Sequence, residues 1–209
     1  MGLTPDDRRA ERRTLLLDAA FELLGTEGWT GTTVRAVCQE ARLNPRYFYE
    51  SFDDLDALLV AVHDRLVGQL GEAFLAAVGA AGADPRAQVH AALDSIVSFI
   101  DADRRRGRVL YVEALGNEAL NRRRIETGHA LVALVEQSGA EAHGGAPGAD
   151  PIARITAAIL VGGAGELVAA WLDGRMEVPR QQLVGDATEI FLAMGDAAAT
   201  VASRRATRR

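Results

Sequence analysis

The chain has no lysine: all 23 of its basic residues are arginine, set against 29 acidic residues for a net charge of −6 over 209 residues. That balance excludes a protein that holds nucleic acid by diffuse positive charge, so any contact with phosphate depends on where individual arginines point. Cysteine is nearly absent. The lone Cys38 cannot form an intramolecular disulfide. Its place among apolar residues reads as a small buried hydrophobe, with a redox role as the alternative. No uncharged apolar run reaches eighteen residues and no N-terminal apolar leader is visible, so no membrane contact is expected and the expected location is cytoplasmic. Aromatic residues make up 5% and hydrophobic residues 48%, enough for one sizeable core and a small satellite domain.

Catalytic signatures are missing as well. Gly162-Gly163-Ala164-Gly165 lacks the preceding strand and the spacing of a phosphate loop, and there is no zinc, serine-hydrolase or kinase motif. Glu126 and His129 have the Glu-x-x-His spacing of helical di-iron sites, but such sites need two of these motifs and further carboxylates. Neither an enzyme nor a metal or other cofactor is expected.

What is present is concentrated between Thr32 and Phe52. A Thr32-Thr33 cap opens a helix carrying Val34, Val37, Cys38 and Ala41 at helical spacing. Arg42-Leu43-Asn44 remains for a turn. Asn44 is a preferred N-cap and Pro45 suits the first helical position, so a second helix restarts at once. Phe48 and Phe52 lie four apart on one face and point inward, which turns Arg46, Tyr47 and Tyr49 toward the other face or its edge. A helix from Pro45 to Phe52 would be roughly 12 Å long, short enough to enter a major groove about 12 Å wide. These are the features of a helix-turn-helix, whose partner is a DNA duplex. Upstream, Leu15, Leu16, Ala19, Ala20, Leu23 and Leu24 mark a supporting helix from near Glu11 to Gly25. Ahead of it, Arg8, Arg9, Arg12 and Arg13 form a basic arm that either steers onto DNA or is disordered. From Met1 to Phe48, seven arginines balance seven acids, so this part of the chain is neutral.

Arg13 through Leu59 resembles the DNA-binding domain of the TetR family of ligand-responsive transcriptional regulators. The resemblance is carried jointly by Ala19-Ala20, Leu24, Gly28, Thr32-Thr33-Val34, Val37-Cys38, Tyr49, Phe52 and Leu58. It implies an all-α fold, with a three-helix helix-turn-helix domain over 1–54 and a larger helical ligand-binding and dimerisation domain over 55–209. By position it also implies base or groove contacts for Arg35, Pro45, Arg46 and Tyr47, and phosphate contacts for Thr33 and Tyr49. Thr33 can equally be only a cap, and Tyr49 partly core. Two positions depart from the family pattern. Arg42 stands where a turn glycine is usual, at a cost of roughly 1–2 kcal/mol if its φ is positive. Leu55 stands where a phosphate-binding lysine is common, within Asp53-Asp54-Leu55-Asp56, a sequence suited to capping the next helix. Arg42 is a candidate to replace that phosphate contact.

From Leu55 the pattern becomes a long amphipathic helix to Val78, interrupted over Gly79 to Pro85. Helices are then expected around Val89–Ile100, Val109–Leu120 and Arg122–Gln137, followed by a Gly/Ala-rich linker from Glu141 to Asp150. Pro151–Asp173 and Pro179–Ala202 should be the last two helices. In the former, Ile155, Ala158, Ile159, Gly162, Gly163 and Leu167 make nearly every face apolar or small, so the helix needs partners. With Leu183, Val184, Ile190, Phe191, Leu192 and Met194 of the latter it forms the expected homodimer seam, as the resemblance implies, and a dimer implies a palindromic operator. Candidate ligand-binding residues are the polar or aromatic groups set into apolar helices: Phe99, Tyr111, Glu113, Asn117, His129, Glu166 and Trp171. The Glu166 carboxylate must find a partner, either a ligand or an arginine such as Arg154 or Arg175 across the dimer. The function implied is a repressor released from DNA by a small hydrophobic effector. The alternative is a helical ligand- or partner-binding module, or an enzyme, without specific DNA binding.

Overall fold

The computed structural model describes residues 4–142 and 150–208, and among these the chain is all-α, without a strand. It divides into two compact units: residues 1–69 with 102–124, and residues 70–101 with 125–209. The first of these units takes in residues 55–69 and 102–124 besides 1–54.

In the first unit, α1 (Pro5–Thr26) starts six residues ahead of the expected Glu11. The reason is local. Thr4 and Asp7 form a reciprocal capping box, with the Asp7 N–H donating to Thr4 Oγ1 at 3.1 Å and the Thr4 N–H to Asp7 Oδ2 at 2.9 Å, and Pro5 fills the first helical position. The first two turns carry no apolar stripe, so periodicity alone does not reveal them, and the four arginines of the arm lie within the helix. After a single turn, α2 (Gly28–Gly31), come α3 (Val34–Glu40), α4 (Pro45–Tyr49) and the start of α5 (Leu55–Ala80). Helix α1 packs on α2, α3 and α4. Leu16, Ala20, Leu24, Val37, Phe48, Leu58, Leu59 and Val62 are completely buried.

The arginine run does not merely end a helix. Arg104–Gly107 is itself a turn of helix, α7, capped by Asp103, and it leads into a π turn (Arg108–Val112) and a 3-10 turn (Glu113–Leu115). Val109–Leu120 is thus not one helix. Gly116-Asn117 breaks it, and Asn117 Oδ1 accepts the Leu120 N–H at 2.9 Å to open α8 (Glu118–Ala142), which runs unbroken through the expected gap at Asn121. The segment packs on α1. Arg105 bridges to Glu22 of α1 and to Asp103. The buried Glu113 accepts from Arg108 Nε at 2.8 Å and from the Trp29 N–H at 2.9 Å, while Arg108 also donates to the carbonyls of Gly25 and Thr26. Gly28 holds a φ of 77° beside the Glu113 carboxylate, where a Cβ would lie 2.9 Å from Oε2. Only glycine meets both demands.

In the second unit, α10 (Arg180–Ala206) packs on α6 (Pro85–Asp101) and on α9 (Pro151–Leu172). Leu93, Val97, Leu183, Val184 and Ala187 form the core, with Leu167, Trp171 and Phe191 against it. Leu183 and Val184, assigned from sequence to a dimer seam, are buried within the chain instead. Arg180 ties α10 to Asp94 at 2.6 Å, and Arg86 ties α6 to Glu189 at 2.5 Å. Most of the expected linker, residues 143–149, lies outside the described residues; Glu141 and Ala142 still belong to α8 and Asp150 caps α9.

Two predictions follow from the first unit. Glu113→Gln removes the charge that Arg108 pairs with and weakens the acceptor for Trp29, and should cost about 1–3 kcal/mol in urea or thermal unfolding. His63 on α5 is buried with its Nδ1 3.5 Å from Asp64 Oδ1, and burial pulls its pKa below the ordinary 6.5. The unfolded chain therefore takes up a proton that the folded one resists, so the stability His63 contributes is present above about pH 6.5 and is lost as pH falls. Unfolding at pH 7.5 and 5.5 should show a loss for the wild type that is smaller for His63→Phe.

Candidate nucleic-acid interface

Thr33 caps α3, its hydroxyl accepting the Ala36 N–H at 3.1 Å, whereas Thr32 is buried and donates to the Gly28 carbonyl. Val37 and Cys38 face inward, and burial pushes the Cys38 thiol pKa up, away from the reactive thiolate. At the end of α3 the Arg42 N–H bonds the Gln39 carbonyl at 3.1 Å and the Leu43 N–H bonds the Cys38 carbonyl at 2.9 Å. This pair of bonds is a Schellman motif, and it places Arg42 at a φ of 54°. The turn keeps the left-handed geometry that glycine favours although an arginine occupies it.

Asn44 caps α4 by accepting the Arg46 N–H at 3.0 Å, with Pro45 next to it. The helix stops at Tyr49 instead of Phe52, and the Phe52 N–H still bonds the Phe48 carbonyl at 2.9 Å. Phe48 is wholly buried, with Tyr49 edge-on at 5.2 Å between centroids and Phe52 at 6.0 Å. Pro45 and Arg46 are exposed, and Tyr49 is 62% exposed, so it is no core residue. Tyr47 is half-buried, its ring 4.5 Å beneath the Arg12 guanidinium.

Glu50 gathers the cations of this surface. It pairs with Arg46 at 3.0 Å and with Arg12 at 3.6 Å, while its carbonyl accepts from Arg9. Arg13 lies 4.7 Å over the Phe52 ring. Three of the four arm arginines are thus fastened against α4 and the turn after it. Glu50 carries a readable signal, since a carboxylate four residues after Arg46 is an i,i+4 pair; the packing of Arg12 against Tyr47 has none. Arg35 is exposed at the rim of an open hollow of about 350 Å³, formed with Val34, Cys38, Gln39, Leu43, Pro45 and Tyr49. Arg35, Pro45, Arg46 and Tyr49 therefore share one surface around α3 and α4, with Tyr47 at its edge and Thr33 at the start of α3.

The seven candidate ligand residues divide between the two units. Tyr111, Glu113 and Asn117 belong to the first unit, where Glu113 holds Arg108 and Trp29 and Asn117 reaches Asp56 at 3.0 Å; burial raises the Tyr111 phenol pKa. Phe99, His129, Glu166 and Trp171 belong to the second. There Phe99 and Trp171 are half-buried, the Trp171 indole donating to the Val178 carbonyl at 3.1 Å, and His129 is exposed. Glu166 is exposed too, and its partner is Arg175 of the same chain at 3.2 Å.

The family described as bacterial regulatory proteins, tetR family, matches residues 16–62. The HTH-type transcriptional regulator BetI of Paraburkholderia xenovorans (strain LB400) is 31% identical over 102 residues, 49% of this chain and 51% of that protein. The chain thus spans about half the length of this curated relative. Among solved structures, a TetR-like transcriptional regulator from Rhodococcus sp. RHA1 superposes with a TM-score of 0.65 at 21% identity, covering 93% of this chain and 96% of the other. The transcriptional regulator FadR from Bacillus subtilis in complex with stearoyl-CoA gives 0.71 at 17% identity, covering 85% and 96%. Those two likenesses establish the fold along nearly the whole chain. The family match is confined to residues 16–62, from α1 into α5, and over that segment the chain is similar to the bacterial regulatory proteins of the tetR family.

Proposed function

We propose that the protein is a dimeric, sequence-specific DNA-binding repressor, released from a palindromic operator by a small hydrophobic effector. The observation that carries the DNA part is α4, a short helix anchored by a fully buried Phe48 that turns Pro45, Arg46 and Tyr49 outward. In this reading α4 enters the major groove. The Arg46 fork exchanges Glu50 for the O6 and N7 of guanine, and Arg35 reads a second base edge. The apolar hollow beside Pro45 accepts a thymine methyl, the Tyr49 and Thr33 hydroxyls donate to phosphate, and Tyr47 contacts the groove once Arg12 shifts from its ring. The neutral charge balance fits binding that depends on a few placed arginines.

A second copy of the chain is the occupant proposed for α9. Its mean hydropathy reaches 1.8 over eighteen residues, yet only 17% of that window is buried. By length and composition alone it would cross a membrane, but a dimer seam also meets that test. Ile155 and Ile159 are more than half exposed, and Gly162 and Gly163 follow on the same face. A Cβ added at either glycine would meet nothing within 4 Å. Each mid-helix glycine costs about 1 kcal/mol, and close approach by a partner's backbone is what would offset it. Ile190 of α10 is exposed in the same way.

For the effector, the body packed from α6, α9 and α10 is the proposed receiver, with Phe99 and Trp171 as candidate contacts. The void among Leu93, Ile96, Val97, Leu167, Val168 and Val184 is about 20 Å³. That is room for about one water molecule, so a bound acyl chain must part these helices. The fold likeness to a FadR holding stearoyl-CoA suggests long-chain acyl compounds as first probes. Release needs only about 1–3 kcal/mol of coupling between effector and DNA. The setting proposed is the cytoplasm, where operator and effector meet.

Retention of duplexes from a random-sequence pool tests the DNA reading. Arg46→Ala with Tyr47→Ala should lower it at least tenfold while the far-ultraviolet spectrum stays helical, one lost bidentate contact alone being worth about 1–3 kcal/mol; equal retention would remove the assignment. For the seam, Ile159→Glu should yield a monomer in analytical ultracentrifugation with helicity unchanged, because the side chain it replaces has little intrachain contact.

A further inference from the structure

We propose that Arg42 is a phosphate-binding residue of this surface, an inference that rests on the DNA-binding reading and adds a residue to it. Four described residues have left-handed backbones, and three of them are glycines, Gly28, Gly82 and Gly174. Arg42 is the fourth. Its two backbone bonds form a complete Schellman motif, so the conformation is imposed by the end of α3 and cannot relax without dismantling the turn. An L side chain there crowds its own carbonyl, and glycine would fill the site with less strain. Strain kept at one position points to a use for the side chain that occupies it.

The side chain is a guanidinium held by nothing. Arg42 is exposed and has no ion pair or hydrogen bond through its side chain among the described residues. Arg35 is likewise exposed without an ion pair among the described residues, whereas Arg12 and Arg46 are held by Glu50. Arg42 therefore needs to give up no carboxylate to meet an anion, whereas Arg46 must release Glu50 first. Position supplies the target. Arg42 precedes Pro45 by three residues, at most about 10 Å of chain. With the N-terminal end of α4 in a groove about 12 Å wide, a cation that close falls on the phosphate wall and away from the base edges. Beyond α4 there is no arginine from Ser51 to Asp64, and Asp53, Asp54 and Asp56 stand there instead, so the far end of α4 offers no replacement grip.

Arg42→Gly separates the two effects because they have opposite signs. On the tightest duplex recovered from the random pool, followed by fluorescence anisotropy over a salt series, this variant should bind about tenfold more weakly. Its slope of log K against log salt should be shallower by about one unit. Its unfolding temperature should rise, since the left-handed strain is gone. Arg42→Lys should keep the wild-type slope. Unchanged affinity and slope in Arg42→Gly would overturn the proposal, and so would weaker binding at an unchanged slope, which would mean that the residue only shapes the turn. A wild-type protein that retains no duplex would instead remove the DNA reading beneath it.

Discussion

Burial of Phe48 is the constraint on which the interface depends. A five-residue helix has no independent stability, since a single nucleated turn is unfavourable in water. What holds α4 is one ring with no exposed surface, bracketed by Tyr49 and Phe52 and roofed by α1. Once that ring is inside, helical geometry leaves Arg46 and Tyr49 outside. The Asn44 cap and Pro45 fix where the helix starts, and the Schellman turn at Arg42 fixes how it leaves α3.

Electrostatics then set the resting state of that surface. With no lysine and a net charge of −6, attraction to DNA cannot come from a general field. Glu50 meanwhile holds Arg12 and Arg46 in place, so that in the proposed reading binding is an exchange of one anion for another. An interface of the proposed kind would favour specificity over strength, because only a correctly placed guanine or phosphate would repay the loss of Glu50. Behind it, Glu113 fastens the segment after α7 to Trp29 of α2 and Arg108 fastens it to the end of α1, so residues distant in sequence join the unit that holds α4.

Much of this was legible in the residues. The alternation of apolar positions located α3, α5, α6, α9 and α10, and Asn44-Pro45 marked the start of α4, because caps and periodicity are local signals. The first two turns of α1 were not legible, since a capping box holds them without any apolar stripe. Nor was the break at Gly116-Asn117, where a π turn and a 3-10 turn replace a regular helix to bring Glu113 against Trp29. Leu183 and Val184 show the limit of pattern reading: apolar positions declare that they will be buried, not against which neighbour. Of the interface, Phe48 as anchor and Arg46 as exposed cation followed from spacing, whereas the cover of Arg12 over Tyr47 depends on where α1 runs. A polar residue in an apolar helix has several ways to be satisfied, and Glu113, Asn117 and Glu166 each have a partner within the chain.

In the proposed reading two copies of α4 read one duplex. Its most direct test is to sequence the duplexes that the purified protein retains from a random pool at near-physiological salt. A two-fold symmetric motif, with half-sites at a fixed spacing near one DNA turn or a longer constant interval, is the predicted result. Retained duplexes with no enriched motif, obtained with a folded dimer, would contradict it.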